Sequence, residues 1–388
     1  MIRVGLHGGF GEKGRTSVGI EAGGRRVLLD AGIKVGASGR DYYPLIDDEA
    51  IRKLDALLIS HAHEDHVGAL SWLLSRGFRG RIFMTAETLA ESPETLSHYG
   101  EREYLDAFPL DPGAVEMFTP GETIDLGGMT ITTGRSGHVA GGVWFAAEAE
   151  GRRIVYSADV VPDSNVFVMD PLPRCDLLIL DASYGADPVS GSERVSAIRQ
   201  WIEAHAGGCL LPTPLSGRSL ELMAILPGRF AMHAGMRAAL EAQLAAPDML
   251  LPGTAALLRQ RLAQAEDWHE DEALPSCPLL TNDGMGRAGP SAIAIPLAAA
   301  AENYPILLTG HLPEGTPAHT LHAQGRAEWI RLPTHPTLSG LIGIWERSDK
   351  PPVLGHSCAP GALDELRPYL PGLRTDLVTG DFIDLKDD

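Results

Sequence analysis

Three histidines and two acids lie within six positions of the stretch LLISHAHEDHVGAL, residues 57–70. The pattern is His61-x-His63-x-Asp65-His66, and it follows a short apolar run that reads as a buried strand. On a loop, two imidazoles separated by one residue can reach a single ion, and the following carboxylate and imidazole can turn to a second. Imidazole nitrogen and carboxylate oxygen suit Zn²⁺, with Mn²⁺ and Fe as competitors. The cluster therefore predicts half of a two-metal site.

Two ions that share one ligand need about seven ligands, so three more are expected downstream. His138 lies in the glycine-rich run TGRSGHVAGG, whose glycines allow close backbone approach. Asp159 ends the apolar run RIVYSADV, and His356 follows PPVLG. A single histidine or aspartate is usually solvated or hydrogen-bonded, so each of these is weak evidence alone. Together with the cluster they supply the expected number of ligands.

Length and composition indicate two domains, or one domain with a large insertion. The chain has 388 residues, of which 44% are hydrophobic and 21% charged. No apolar run reaches the ~18 residues of a membrane span, and the N-terminus lacks the pattern of a signal peptide. The four cysteines include no Cys-x-x-Cys pair. We therefore expect a cytoplasmic protein with reduced thiols and no contact with a membrane.

The net charge of −19 is unusual for a protein that binds a polyanion, because phosphate contacts normally rest on a basic surface. Two features offset this charge. Bound cations would neutralise several carboxylates, and most of the basic residues are arginines, which make forked contacts to phosphate. The net charge therefore does not exclude a nucleic acid substrate, but it gives some support to a smaller substrate.

The predicted secondary structure changes near residue 188. The first part alternates short β-rich runs with helical apolar patterns, which indicates an α/β layered domain. From 189 to 331, helices alternate with short apolar strands, which is typical of a small parallel-sheet unit set into the chain. Residues 332–388 return to a strand-and-loop pattern, followed by a helix, a final strand and an acidic tail. We therefore expect residues 1–188 and 332–388 to form one domain and 189–331 another.

These motifs resemble those of the metallo-β-lactamase fold. HAHEDHVGAL is similar to the signature of that family, and Asp30 in LLDAG corresponds to its first acidic motif. Three further segments, LLILDASYG, LLPTPLSGRSLELMAIL and ILLTGHLPEGTPA, resemble motifs of its β-CASP group, whose members carry an inserted domain. The resemblance covers nearly the whole chain. It implies an α/β protein, with a metallo-β-lactamase αββα sandwich and an inserted β-CASP-like α/β domain over 189–331.

The resemblance implies a site with two Zn²⁺ ions, for which Mn²⁺ or Fe are alternatives. By correspondence with the family's motifs, the first zinc is assigned His61, His63 and His138, the second Asp65, His66 and His356, and the bridging position Asp159. Asp30 corresponds to an acid that holds the ligand loop in place without touching the metal.

Proton transfer and substrate binding are expected of further residues. Asp181 matches the first motif specific to the β-CASP group, and His335 lies where the second motif places its histidine. His335, oriented by Asp181, is therefore expected to protonate the leaving oxygen. Arg218, with the backbone of Ser216 and Gly217, stands at a predicted helix start and is expected to bind phosphate. The second and third motifs read PTHPT and GHSCA. They contain the histidines of the family pattern, but the residues beside those histidines differ from it.

Most β-CASP proteins are nucleases, so the resemblance implies hydrolysis of RNA or single-stranded DNA by metal-activated water. The main alternative is a hydrolase of a small phosphodiester, ester or lactone, with the insert acting as a lid. The presence of all seven ligand positions argues against a non-catalytic scaffold. The inserted domain argues against a β-lactamase, because it would obstruct an open antibiotic site. Homodimers are common in the group, which makes a homodimer an option for this chain.

Overall fold

The computed structural model describes residues 1–301 and 303–385, and the predicted acidic tail at 386–388 lies outside them. The chain is a mixed α/β protein that divides into two compact units. Unit 1 consists of Met1–Asp163, Met169–Pro188 and His335–Asp388, and unit 2 consists of Ser164–Val168 and Val189–Thr334.

The strands and helices alternate along most of the chain. Within the described ranges, the strands are β1 (Ile2–Gly8), β2 (Ser17–Ala22), β3 (Arg25–Leu29), β4 (Ala56–Leu58), β5 (Arg81–Met84), β6 (Val115–Met117), β7 (Thr123–Asp125), β8 (Thr130–Arg135), β9 (Val143–Ala149), β10 (Arg152–Tyr156), β11 (Leu177–Asp181), β12 (Cys209–Pro212), β13 (Ala231–His233), β14 (Glu266–Trp268), β15 (Pro278–Thr281), β16 (Leu307–Leu308), β17 (Glu328–Trp329), β18 (Val353–His356), β19 (Leu373–Arg374) and β20 (Phe382–Leu385). The α-helices are α1 (Asp48–Arg52), α2 (Glu64–Val67), α3 (Leu70–Ser75), α4 (Ala86–Tyr99), α5 (Arg102–Ala107), α6 (Gly191–Ala204), α7 (Arg218–Ile225), α8 (Arg237–Leu244), α9 (Thr254–Gln264), α10 (Ser291–Ala300), α11 (Pro317–Ala323), α12 (Leu338–Arg347) and α13 (Pro360–Leu366).

Unit 1 contains two large sheets that share one hydrophobic core. Among the described residues, the first sheet has the order β20-β1-β2-β3-β4-β5-β6 and the second β19-β18-β11-β10-β9-β8-β7. Side chains alternate between the faces of a strand, so Ile2, Val4 and Leu6 of β1 all point into the core. Phe145 and Tyr156 of the second sheet belong to the same buried cluster. The two sheets therefore pack face to face.

Helices cover the outer faces of both sheets. Leu57 of the first sheet packs in one cluster with Trp72 and Leu73 of α3. Leu178 of the second sheet packs in another cluster with Leu341 of α12. Because each strand in the middle of these sheets is buried on both faces, it reads as a continuous apolar run rather than an alternating one. The layers run helix, sheet, sheet, helix, which confirms the predicted αββα sandwich.

The segment after residue 335 contains more helix than the sequence pattern predicted. Strand and loop were expected between the two motif histidines of this segment, but α12 lies there. Its isoleucines favour strand when read locally, and its glycines weaken a helix. The apolar residues Leu338, Leu341 and Trp345 nevertheless recur at helical spacing, and the helix is held by packing on the second sheet.

Unit 2 is built on parallel strands in the order β12-β15-β13-β14. This agrees with the parallel-sheet unit expected from the sequence. The short segment Ser164–Val168 also belongs to unit 2, where Phe167 bridges to Leu250. Within the described residues, no helix of either unit combines the length and the apolar character needed to cross a membrane.

Glu221 of α7 holds the Ser164–Val168 segment in unit 2. Its side chain is 4% exposed and accepts a hydrogen bond from the hydroxyl of Ser164. The backbones of Asn165 and Val166 also donate to it. Burial raises the pKa of Glu221, because the charged form loses its hydration, and the hydrogen bonds offset this rise only in part.

The free energy of unfolding of Glu221→Gln should fall less than that of wild type as pH rises from the acid range. The carboxyl pKa is higher in the folded chain than in the unfolded chain, where it is close to the ordinary value of 4.5. The stabilising contribution is therefore complete below that value and is lost as pH rises through the folded-state pKa. Urea unfolding of variant and wild type across this range should show the variant gaining relative stability as pH increases. Glu203→Gln, at an exposed position of α6, is the control. A constant difference between Glu221→Gln and wild type would contradict the prediction.

Candidate metal centre

The candidate ligands of unit 1 lie at the carboxyl ends of parallel strands. In the first sheet, β3 and β4 are parallel, and Asp30 and His61 follow them. In the second sheet, β10, β11 and β18 are parallel, and Asp159, Asp181 and His356 stand at or just beyond their ends. Parallel neighbours end at the same edge of a sheet, which is where open α/β sheets bind ligands. Residues far apart in sequence are therefore brought together.

Three residues with side chains adopt the left-handed backbone conformation at these strand ends. They are Asp30 (φ 61°), Ala158 (φ 48°) and Ser357 (φ 58°). This conformation costs a residue with a Cβ about 1–2 kcal/mol, and it persists where surrounding contacts impose it. Each of the three is a candidate site residue or its immediate neighbour. The sharp turns direct the site side chains immediately after the strands end.

His61, His63, His138 and Asp159 form a first group, whose ligand atoms all lie within 4.8 Å of one another. His61 Nε2 and His138 Nε2 each lie 3.1 Å from His63 Nδ1. Nitrogens that bind one tetrahedral zinc at its usual bond length are roughly 3.3 Å apart, so this spacing fits zinc. Burial lowers the pKa of His61 and of His138, which favours the neutral imidazole, the form that binds a cation.

Asp65, His66 and Asp159 form a second group, so Asp159 belongs to both. Its Oδ1 lies 3.3 Å from His66 Nε2. Its Oδ2 lies 3.7 Å from His138 Nε2 and 3.9 Å from His61 Nε2. One carboxylate oxygen therefore faces each group, which is compatible with a ligand shared by two ions.

Buried atoms without a hydrogen-bond partner provide a test of whether a metal fits. Within the described part of the chain, such atoms include His66 Nε2, Asp159 Oδ1 and His356 Nε2. Leaving a buried polar atom unsatisfied costs about 1–3 kcal/mol. His356 stands outside the groups above, and burial lowers its pKa, so its Nε2 offers a lone pair. A cation is the partner that satisfies these atoms together. The cluster is therefore able to bind metal ions.

Asp30 fixes the direction of His66. Its Oδ1 accepts from the backbone N–H of Ser60 at 2.6 Å. Its Oδ2 lies 2.7 Å from three donors, Ser60 Oγ, Tyr156 Oη and His66 Nδ1. A carboxylate only accepts, so Nδ1 of His66 carries a proton and Nε2 is the nitrogen that is directed to a metal. This is the position of Asp30 that the sequence predicted, next to the ligand loop.

Ser60 and Tyr156 were missed by the sequence analysis. Ser60 gives its hydrogen to Asp30, so its oxygen accepts from His61 Nδ1 at 3.0 Å, and Nε2 is then the His61 nitrogen that carries the lone pair. Two signals could have found them. Ser60 directly precedes the histidine cluster, and Tyr156 places a hydroxyl in an apolar strand, where it needs a partner.

The predicted pair His335 and Asp181 is in contact. His335 Nδ1 lies 2.8 Å from Asp181 Oδ2, and Asp181 is fully buried. The ring of Tyr184 packs edge-on against the His335 ring at 5.1 Å. His335 Nδ1 also lies 3.8 Å from Asp159 Oδ2, so the pair adjoins the metal groups.

The predicted phosphate loop belongs to unit 2. Arg218 is the first residue of α7, and Gly217 before it has φ 70°, which favours glycine. The Arg218 guanidinium donates from Nη2 to Thr334 Oγ1 at 3.1 Å. Ser216 Oγ is among the buried side-chain atoms of the described chain that lack a hydrogen-bond partner. The structure thus groups this loop with the inserted unit and the metal ligands with unit 1.

Comparisons with known proteins agree on the family and the fold. A family model for the beta-lactamase superfamily domain matches residues 25–210. Endoribonuclease ysh-1 of Neurospora crassa is 28% identical over 81% of this chain and 43% of its own length. Cleavage and polyadenylation specificity factor 73 of Drosophila melanogaster is 33% identical over 58% of this chain and 36% of its own length. A ribonuclease of Thermus thermophilus is 30% identical over 53% of this chain and 50% of its own length.

The chain spans half the length or less of these curated relatives. A crystal structure of a protein of unknown function from Enterococcus faecalis matches with a TM-score of 0.62 at 15% sequence identity. That match covers 99% of this chain and 100% of the other, so the two proteins share a fold.

Asp159→Asn should remove most of the metal that the protein binds. The substitution keeps the shape of the side chain and deletes the charge that faces both groups. Metal per chain, measured by mass spectrometry after dialysis against a weak chelator, should fall well below that of wild type. Asp376→Asn, at an exposed surface pair with Arg374, is the control and should bind metal normally. Unchanged metal in Asp159→Asn would refute a shared ligand.

Proposed function

We propose that this chain, a metallo-β-lactamase-fold hydrolase of the β-CASP group, is a metal-dependent nuclease that cleaves RNA. The observation that carries the proposal is the meeting of two groups of metal-ligating side chains at Asp159. The names of the relatives, endoribonuclease and ribonuclease, support RNA over single-stranded DNA as the substrate. The cytoplasmic location and the homodimer stay predictions.

We assign two Zn²⁺ ions to the site, one to each group, with Asp159 shared. His61, His63 and His138 would hold the first, and Asp65, His66 and His356 the second. When bound, the ions supply Lewis-acid polarisation of the phosphoryl oxygens and lower the pKa of a water molecule. The side chains hold their donor atoms ready for this: burial keeps His61 and His138 neutral, and Asp30 turns His66 Nε2 inward. Mn²⁺ and Fe remain competitors for the same donor atoms.

His335 is proposed as the proton donor to the leaving oxygen. Asp181 accepts a hydrogen bond from the Nδ1–H of His335 and so fixes the ring, which leaves Nε2 to carry the proton that is transferred. The ring of Tyr184 packs beside it and restricts its rotation. The neighbours of His335 in sequence differ from the family pattern, but the contact on which the role depends is present.

Arg218, Ser216 and Gly217 are proposed to bind a phosphate of the substrate. The guanidinium is a forked donor, and the Ser216 hydroxyl lacks a hydrogen-bond partner among the described residues. Arg218 also donates to Thr334, which holds its side chain in place within unit 2. We propose residues 189–331 as the domain that selects the substrate.

A small-substrate hydrolase is the second candidate, and the net charge of −19 favours it. A long polyanion approaches such a surface against electrostatic repulsion, whereas a single phosphodiester, ester or lactone is repelled less. The two candidates differ in substrate size, so one experiment separates them.

The zinc-loaded protein should cleave single-stranded RNA labelled at either end, and a chelator should abolish cleavage. The same preparation is tested on single-stranded DNA, bis-p-nitrophenyl phosphate and a lactone panel. Product lengths from the two labels distinguish internal from terminal cleavage. Asp159→Asn, purified in parallel, is the control for contaminating ribonuclease. Turnover of small substrates without cleavage of RNA would contradict the proposal and support the second candidate.

His335→Ala should slow RNA cleavage by about 10²–10⁴-fold, the usual contribution of a general acid, while metal content stays at the wild-type level. Turnover of bis-p-nitrophenyl phosphate should fall much less, because nitrophenolate leaves without protonation. His98→Ala, on α4 and outside the metal groups, is the control. Loss of metal from His335→Ala would mean that His335 is a ligand and not a proton donor.

A further inference from the structure

We propose that Tyr156 is a positioning residue of the metal centre, because its hydroxyl holds the Asp30 carboxylate in the orientation that directs His66 Nε2 to the second metal. The inference rests on the proposed two-metal site. It concerns how the two sheets of unit 1 are kept in register at that site.

Tyr156 is buried in the core between the sheets. It is the last residue of β10, it is fully buried, and its ring belongs to the cluster shared by both sheets. A hydroxyl in such a core needs a hydrogen-bond acceptor, since burying it alone costs free energy. The acceptor is Asp30 Oδ2 on the opposite sheet, 2.7 Å away. A phenylalanine would fill the same space without this bond.

The donors to Asp30 come from two different parts of the fold. Ser60 and His66 lie on the loop and helix after β4, which also carry candidate ligands. If that loop shifts, both donors move with it and cannot restrain the carboxylate independently. The third donor, Tyr156, belongs to the second sheet and lies three residues before Asp159. Its hydroxyl therefore ties the orientation of His66 to the strand that delivers the shared ligand.

Tyr156 also contacts the remaining candidate ligand of the second metal. Its ring centroid lies 5.3 Å from that of His356, with the planes at 51°. The hydroxyl thus acts on His66 through Asp30, while the ring packs against His356. His66 and His356 are both assigned to the second metal, so loss of the hydroxyl should weaken the binding of that metal selectively.

Tyr156→Phe, which keeps the ring and deletes the hydroxyl, tests the proposal through metal affinity. Loss of a partner that orients a metal ligand typically weakens binding about 10–100-fold. Zinc titration in competition with a chromophoric chelator should show this loss for one metal equivalent and wild-type affinity for the other. Cobalt substitution should alter the visible absorption of one of two cobalt equivalents. Wild-type affinity for both equivalents would overturn the proposal.

Tyr304→Phe is the matched control. The Tyr304 hydroxyl is also buried and donates to the carbonyl of Cys277 at 3.1 Å, but it lies in unit 2. Both substitutions delete one buried tyrosine hydrogen bond and should lower the thermal stability of the metal-free protein comparably. The metal affinity should fall only for Tyr156→Phe, and an equal fall in both variants would overturn the proposal.

A double-mutant cycle with Asp30→Asn tests whether Tyr156 acts through Asp30. In the Asp30→Asn background, Tyr156→Phe should cause little further loss of affinity, because the two residues act as a unit. Full additivity of the two losses would overturn the proposal. A wild-type protein that binds no second metal would refute the proposed two-metal site instead, so the two failures are distinguishable.

Discussion

A buried carboxylate placed between two sets of imidazole nitrogens is the constraint on which the structure of unit 1 depends. Burial by itself would raise the pKa of Asp159, but the neighbouring histidines, His66 above all, hold it well below the usual range. The carboxylate is therefore charged inside the protein, where an unpaired charge is very costly. Within the described part of the chain, two of the surrounding nitrogens, His66 Nε2 and His356 Nε2, lack a hydrogen-bond partner. Cations at this position satisfy both requirements, which explains why so many polar atoms converge here.

The architecture delivers these atoms through the ends of parallel strands. Each sheet supplies part of the site: the first carries the histidine cluster, and the second carries His138, Asp159 and His356. Because the ligands come from two separately hydrogen-bonded sheets, their relative position depends on contacts across the core. The network around Asp30 is such a contact, since it joins the ligand loop of one sheet to Tyr156 of the other. Packing and polar contacts therefore act together at this edge.

The division into two units separates the chemistry from the proposed selection of substrate. The metal groups and the pair His335 and Asp181 lie in unit 1, and the Arg218 loop lies in unit 2. The segments around the second and third motifs depart from the family pattern mainly beside the histidines. His335 still meets Asp181, and His356 still presents a buried Nε2 at the end of its strand. The two predicted site histidines therefore keep these positions although the residues beside them differ.

Sequence patterns predicted the fold to a large extent, because apolar periodicity and motif spacing are local properties. The α/β layering, the parallel sheet of the insert and the strand ends that carry polar residues could be inferred in this way, whereas the αββα arrangement was implied by the family resemblance. The helix α12 could not, because its glycines disfavour helix and its isoleucines favour strand locally, so that its helical form depends on packing against the second sheet. The five positions Ser164–Val168 were likewise assigned to the first domain, yet the structure groups them with unit 2 through Glu221 and Leu250.

For the site, the sequence by itself determined which residue types are available: three histidines and an aspartate after a buried strand, and further acids and histidines at later strand ends. It carried no information on which oxygen of Asp159 faces which group, or on the donors that hold Asp30. Ser60 was adjacent to the cluster and Tyr156 was 90 positions beyond its last residue, and neither spacing indicates a contact. Only the tertiary structure decided these points, because hydrogen-bond partners across a core depend on the register of two sheets, and that register is a property of the packed chain.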